Sequence, residues 1–163
     1  GDLYLDFIGV GEIVAGDAKA AGGHLLDGAA REGAVASPHE TDRVFAASLM
    51  NVRAVAEVVG GHDDLVVLCA GREDAFALED AYCAGALLRA LGAGEKDDLD
   101  DSARAAVALA DRFVPNARFL AETAGGRALL DIDMGADLEW CARRDVIEIV
   151  PEMKDRSITP VEG

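Results

Sequence analysis

The segment Leu65-Val-Val-Leu-Cys-Ala-Gly-Arg-Glu-Asp-Ala-Phe-Ala-Leu-Glu-Asp-Ala-Tyr-Cys-Ala-Gly-Ala-Leu-Leu88 joins a continuous apolar run to a glycine turn and then to the acidic first turn of a helix. Leu65 to Cys69 is bounded by His62-Asp63-Asp64 and Gly71, the pattern of a short strand covered on both faces, as in a parallel sheet. Arg72, Glu73 and Asp74 continue as a polar loop. From Leu78 the apolar residues Leu78, Tyr82, Ala86 and Leu91 recur at helical spacing, with Glu79 and Asp80 at the positive end of the helix dipole. Ligands of open α/β sheets bind beyond the carboxyl ends of the strands, so chemistry is expected at this loop and helix start. Two carboxylates there, Glu79 and Asp80, suggest a metal site.

Upstream, Arg43 to Met50 predicts a second buried strand, centred on Val44 to Ser48. Asn51 follows as the natural cap of a helix over Val52 to Val59, which Gly60-Gly61 ends. Strand, helix and the Leu65 strand make a βαβ unit, and a right-handed crossover sets the two strands parallel with Ser48, Asn51 and the Gly71 loop at one edge. Ser48, Asn51 and Arg72 are therefore expected to line one pocket. Nearer the start, Tyr4 to Ile8 reads as a strand, and Gly9 to Lys19 as a glycine-rich stretch that turns or presents amides to an anion. A phosphate loop needs lysine directly after its last glycine, and here Asp17 follows Gly16. Ala20 to Gly33 carries a weak helical pattern broken by glycines, and Gly33 to Glu40 is a loop.

Downstream, Gly92 to Asp98 is a charged link, and Asp100-Asp101-Ser102 opens an amphipathic helix with Ala103, Ala106, Val107, Ala110 and Phe113 on one face, ended by Pro115. Asn116 caps a helix from Ala117 to Ala124. Gly125-Gly126-Arg127 precedes a short segment, Ala128 to Leu130, and Gly135 to Cys141 gives another turn or two with Leu138 and Cys141 inward. Asp145 to Pro151, with Val146 to Val150 at its centre, predicts a last strand that Pro151 terminates, followed by a loose polar tail. This alternation predicts a single α/β domain over residues 1–163, a three-layer α/β/α arrangement with a mainly parallel sheet.

Fifteen Lys and Arg against 31 Asp and Glu give a formal charge of −16, which repels nucleic acid and anionic lipid; the plain reading of so much acid is a solvated surface. No apolar run reaches membrane-spanning length and the start lacks a secretion signal, so a cytoplasmic protein is expected. Cys69, Cys83 and Cys141 are odd in number and lie in apolar contexts, which argues against a disulfide framework and for buried small hydrophobes; no C-x-x-C or H-x-x-x-H suggests zinc. His24, His39 and His62 are scattered, each more simply a surface residue than a base. The chain opens on Gly1 rather than methionine, so a fragment or processed chain is expected.

Several separated pieces carry a resemblance. Ser48-Leu-Met-Asn51 with Ala54-Val-Ala56, Cys69-Ala-Gly-Arg72, Phe76-Ala-Leu-Glu-Asp80, Cys83-Ala-Gly-Ala86, Asp101-Ser-Ala-Arg-Ala105, Gly126-Arg-Ala-Leu129, Asp137-Leu-Glu-Trp-Cys-Ala142, and Asp145 leading to Val150-Pro151 resemble in order and spacing the C-terminal half of the 2-phosphosulfolactate phosphatase family. The resemblance runs from about Val44 to Thr159. It implies a three-layer α/β/α fold and magnesium-dependent hydrolysis of the phosphate ester of 2-phospho-3-sulfolactate to 3-sulfolactate and phosphate, a step toward coenzyme M. The family's opening Asp-Val-Leu-Arg-Ala-Ser strand and its Thr-Thr-Asn-Gly-Thr-like turn have no counterpart here, and Gly125 stands where a histidine is usual. Part of the family's N-terminal portion is thus expected to be missing.

Phosphate-ester hydrolysis needs charge neutralisation at the phosphoryl oxygens, a positioned water or nucleophile, and cationic or amide donors. Glu79 or Asp80 is the cheapest magnesium ligand, Arg72 offers a fork to phosphate or sulfonate, and amides after Gly71 add donors. With the resemblance, Glu79, Asp80 and Arg72 are the expected catalytic residues, and Ser48, Asn51, Gly71 and Arg72 the substrate contacts. Against this stands the plainer assignment of Glu79 and Asp80 as residues that merely favour the helix N-terminus through its dipole, with Arg72 as their surface partner; the two helix-start carboxylates are expected to be exposed, and their neutralisation to cost little stability. Two other functions stay open: a non-catalytic or truncated α/β subunit that binds an anionic ligand or a partner chain, and a phosphatase for another small phosphate ester. Homo-oligomerisation is also left open.

Overall fold

The computed structural model describes residues 11–15 in backbone only, and residues 43–61, 65–73, 75–93, 99–154 and 157–161. The Tyr4 strand, the Ala20 helix and the loop from Gly33 lie outside these residues. Five strands, β1 (Gly11–Ala15), β2 (Arg43–Ala47), β3 (Leu65–Cys69), β4 (Pro151–Lys154) and β5 (Ser157–Pro160), form one sheet in the order β3-β1-β2-β4-β5. Helix α1 (Val52–Val59) connects β2 to β3, and α2 (Leu78–Ala90) follows β3. The remainder is helical: α3 (Asp101–Arg112), α4 (Ala117–Ala121), α5 (Ala124–Asp131) and α6 (Asp137–Cys141).

The protein is α/β, but its small sheet corrects the expectation of a three-layer α/β/α arrangement on mainly parallel strands: every adjacent pair is antiparallel. The βαβ unit itself is present. Gly11 pairs with both Ala47 and Cys69, and Ala15 with both Arg43 and Leu65, so β2 and β3 run the same way and end level with each other. The Ser48–Asn51 turn and the Gly71 loop accordingly leave the same edge of the sheet. Between β2 and β3 lies β1, drawn from the stretch read as a glycine turn; glycine on either side hides its short alternation. With β1 in that place β3 is an edge strand, its residues Leu65 to Leu68 half-buried and Cys69 exposed, which corrects the expectation of a strand covered on both faces.

The final strand is also displaced. Residues Asp145, Val146 and Ile147 donate their backbone N–H groups to the carbonyls of Leu49 and Met50 at 2.8–3.0 Å, which ties this segment to the turn after β2 and leaves it outside the ladder. Pro151 therefore opens β4 instead of ending a strand; proline is tolerated at a strand's first residue. The tail expected to be loose supplies β5, paired with β4 from Pro151↔Pro160 to Lys154↔Ser157. Arg43 clamps β2 to β4, with Nε and Nη2 donating to the two Glu152 carboxylate oxygens at 2.7 and 3.1 Å.

The core joins Phe45 and Ala47 of β2 to Val52, Val55 and Val59 of α1 and to Tyr82, Cys83, Ala86 and Leu87 of α2. Helix α2 is the centre of the molecule: every residue from Glu79 to Leu87 is buried. It meets α3 at very short range, since a Cβ on Gly85 would stand 1.9 Å from the Ala106 carbonyl oxygen. Phe113 and Tyr82 both pack on Phe119, with ring centroids 5.0 and 5.1 Å apart. Asp100 caps α3 and Asn116 caps α4, each side chain accepting the N–H three residues on at 2.7 and 2.8 Å. The single helix expected over Ala117 to Ala124 is broken at Thr123, whose hydroxyl donates to Leu120 O and accepts from Gly126 N–H, starting α5 in a new direction.

Candidate functional site

Glu79 and Asp80 are neighbours on the first turn of α2, yet both are buried, at 4% and 5% exposure. This corrects the expectation that the two helix-start carboxylates are exposed. Asp80 Oδ2 accepts the Gly71 N–H at 2.7 Å, and Glu79 Oε1 accepts the Gly125 N–H at 2.8 Å. One carboxylate thus ties α2 to the loop leaving β3, the other to the start of α5. Gly71 holds φ at +70°, and a Cβ there would come within 2.9 Å of the Ala75 carbonyl oxygen, so the tight turn requires glycine. Arg72 and Ala75 exchange backbone hydrogen bonds at 2.9 and 3.0 Å across that turn, which fixes the backbone that carries the Arg72 guanidinium.

The second oxygen of the Glu79 carboxylate, Oε2, is buried and has no hydrogen-bond partner among the described residues. An unpaired oxygen of this kind suits a cation or a donor. Among the described residues no group of three His, Cys, Asp or Glu side chains could hold a metal. Magnesium commonly takes only one or two carboxylates, with waters and substrate phosphate completing its shell, and the Glu79 oxygen fits that demand. Asp80 also borders a void of about 10 Å³ between Ala47, Val67, Cys69, Cys83, Ala84 and Leu87, too small for a substrate. Burial pushes the Cys83 thiol up to about 12, and the nearby Asp80 charge adds to the shift. Cys69 is exposed, which corrects the expectation of a buried small hydrophobe there, though partial desolvation and then the Asp80 charge still raise its thiol. Both favour the neutral thiol.

Arg72 lines an open cleft of about 400 Å³ with Ala124, Arg127, Ala128, Leu130 and Asp131. Ser48 and Asn51 are not among its walls, so the single pocket expected for Ser48, Asn51 and Arg72 does not form there. Asn51 is buried and spends its amide on the backbone: Oδ1 accepts from Ser48 N–H at 2.8 Å and Nδ2 donates to Ile149 O at 3.1 Å. It makes no side-chain cap to α1. Its role is to hold the edge where the segment before β4 crosses the end of β2. The Gly71 amide is likewise occupied by Asp80.

Arg127 is the residue that sequence reasoning missed. Its signal was the Gly125-Gly126-Arg127 run: a Cβ on Gly126 would lie 1.7 Å from Leu120 O, so α5 can approach α4 only with glycine there. That approach, together with the Glu79–Gly125 bond, sets Arg127 beside the same cleft as Arg72.

The fold is α/β, with two buried carboxylates at the start of α2 and a separate cleft lined by Arg72 and Arg127. The chain belongs to the 2-phosphosulfolactate phosphatase family, a family of phosphoric monoester hydrolases: residues 32–156 match the family described as 2-phosphosulpholactate phosphatase. It is 28% identical over 122 residues to a probable 2-phosphosulfolactate phosphatase of Clostridium beijerinckii, covering 74% of this chain and 51% of that protein. A protein of the same description from Thermotoga petrophila is 31% identical over 118 residues (69% and 49%), and one from Synechococcus sp. strain JA-3-3Ab 34% over 125 residues (74% and 52%). The chain spans about half the length of the curated relatives it matches. No helix among the described residues is long and apolar enough to cross a membrane.

Proposed function

We propose that this chain acts in magnesium-dependent hydrolysis of the phosphate ester of 2-phospho-3-sulfolactate, releasing 3-sulfolactate and phosphate on the way to coenzyme M, in the cytoplasm. The observation that carries the reading is the family match over residues 32–156, joined to a buried, unpaired Glu79 oxygen at the helix start that follows the Arg72 loop. Glu79 and Asp80 are the carboxylates that would hold magnesium, which when bound supplies charge neutralisation at the phosphoryl oxygens. Arg72 binds and orients the phosphate with its fork. Gly71 contributes the turn that positions Arg72, and Ser48, at the same sheet edge, offers a hydroxyl to the substrate, with Asn51 holding its backbone. A net charge of −16 disfavours anions elsewhere, so productive encounter depends on these local cations.

The test is phosphate release from 2-phospho-3-sulfolactate by this chain with magnesium and with excess EDTA. Release that EDTA abolishes supports the reading; no release under either condition overturns it. A second reading is a non-catalytic chain that binds an anion or pairs with another chain. It is favoured by the structural use of both carboxylates, each of which accepts a backbone N–H. Binding of sulfolactate without hydrolysis would select it.

A further inference from the structure

Arg127 has an unusual environment for so acidic a protein. Its Nη1 donates to the Glu122 carbonyl at 2.6 Å, yet among the described residues no carboxylate lies within 4 Å of its guanidinium, although Asp131 stands one helical turn further on. Among the described residues Arg72 reaches only Glu73, at 4.0 Å, whose side chain is largely exposed. Two guanidinium groups therefore line one open cleft of about 400 Å³ with most of their donors uncommitted among the described residues, and the small side chains of Ala124 and Ala128 complete its lining.

The geometry points to this cleft as a two-cation subsite that selects small molecules carrying two anionic groups, with Arg127 reading the second group. The assignment rests on the reading of the site as one that meets a small phosphate ester. Arg72, next to the Gly71–Asp80 tether, takes the phosphate; Arg127, on α5, takes a sulfonate or carboxylate of the same molecule. Guanidinium forks match both kinds of oxyanion in bidentate fashion. The exposed Leu130 offers an apolar wall to the short carbon skeleton between the two groups. Asp131 borders the cleft with a negative charge that opposes anions there, so its neutralisation strengthens their binding. Arg127 thus acts as a specificity-determining residue, separate from the carboxylates of α2.

Titration calorimetry of the full chain with 3-sulfolactate and, in parallel, with lactate tests this. Sulfolactate should bind at least about tenfold more tightly than lactate, Arg127→Gln should weaken sulfolactate about tenfold while leaving lactate unchanged, and Asp131→Asn should tighten sulfolactate a few-fold. Circular dichroism checks that the variants fold; should Arg127→Gln unfold, Arg127→Lys, which keeps the charge and loses the fork, gives an intermediate affinity in its place. Equal binding of sulfolactate and lactate, or a folded Arg127→Gln chain that binds sulfolactate like the parent, overturns the assignment. Missing phosphate release with this binding pattern intact removes only the hydrolytic reading, and release with no binding selectivity removes only the role of Arg127.

Discussion

Asp80 and Gly71, nine residues apart, are joined by a 2.7 Å hydrogen bond from the glycine N–H to a carboxylate that is 5% exposed. A charge-assisted bond in a buried place is costly to break because the amide is left without a partner. Asp80→Ala should therefore destabilise the chain by about 1–3 kcal/mol in urea denaturation, and Asp80→Asn, which keeps an acceptor, by less. Glu79→Ala should behave alike by stranding the Gly125 N–H. An unchanged midpoint in both alanine variants would disprove the tethers.

Gly85 marks the closest approach of α2 and α3, its hypothetical Cβ 1.9 Å from Ala106 O. Gly85→Ala must push the two helices apart or bend one of them, at a cost of about 3 kcal/mol or more. The gain in helix propensity from alanine is only about 1 kcal/mol and cannot offset this. Thermal denaturation decides: a variant as stable as the parent would mean that the helices do not touch there.

Asn51 and Ser48 separate two roles at the sheet edge. Asn51→Asp removes the donor to Ile149 O and sets a carboxylate oxygen against that carbonyl, so a loss of about 2 kcal/mol is expected. Ser48→Ala removes only a 3.4 Å hydroxyl contact, while the 2.8 Å bond from its backbone N–H remains, and should change stability little. A large fall in phosphate release for Ser48→Ala with an unchanged melting temperature would support its contact with substrate. Unaltered release would exclude it.

Cys83 is buried, and its thiol is raised from 9.0 to about 12. A folded pKa above the unfolded value means that the folded state holds its proton more tightly, so this contribution is complete below pH 9 and is lost as pH rises towards 12. Stability should decline over that alkaline range, and Cys83→Ala should flatten the decline. Iodoacetamide at pH 8 should modify the exposed Cys69 well before Cys83. Labelling of Cys83 at an equal rate in the folded chain contradicts its burial.

The sequence by itself determined the elements whose signals are local. The apolar run Leu65–Cys69 is β3, Val52–Val59 is α1 and Leu78 opens α2, each with the bounds its pattern predicts, because flanking glycines and polar residues punctuate them. Asp100 and Asn116 cap the helices that follow them for the same local reason. The level ends of β2 and β3 were also legible, since the connecting helix carries the chain back to the edge where β2 began, so that β3 runs the same way and ends beside it. Only the tertiary structure decided what depends on distant partners. Strand direction across the sheet follows from β1 entering between β2 and β3, and no periodicity within Gly11–Ala15 carries that information. Glu79 reads as a solvated helix-start acid until α5, 46 residues away, brings the Gly125 N–H onto it. Arg127 reads as one surface arginine among several until the close contact of Gly126 with Leu120 turns α5 beside Arg72. Burial and electrostatics are properties of neighbours in space, and side chains joined across dozens of residues leave no spacing in the sequence from which to read them.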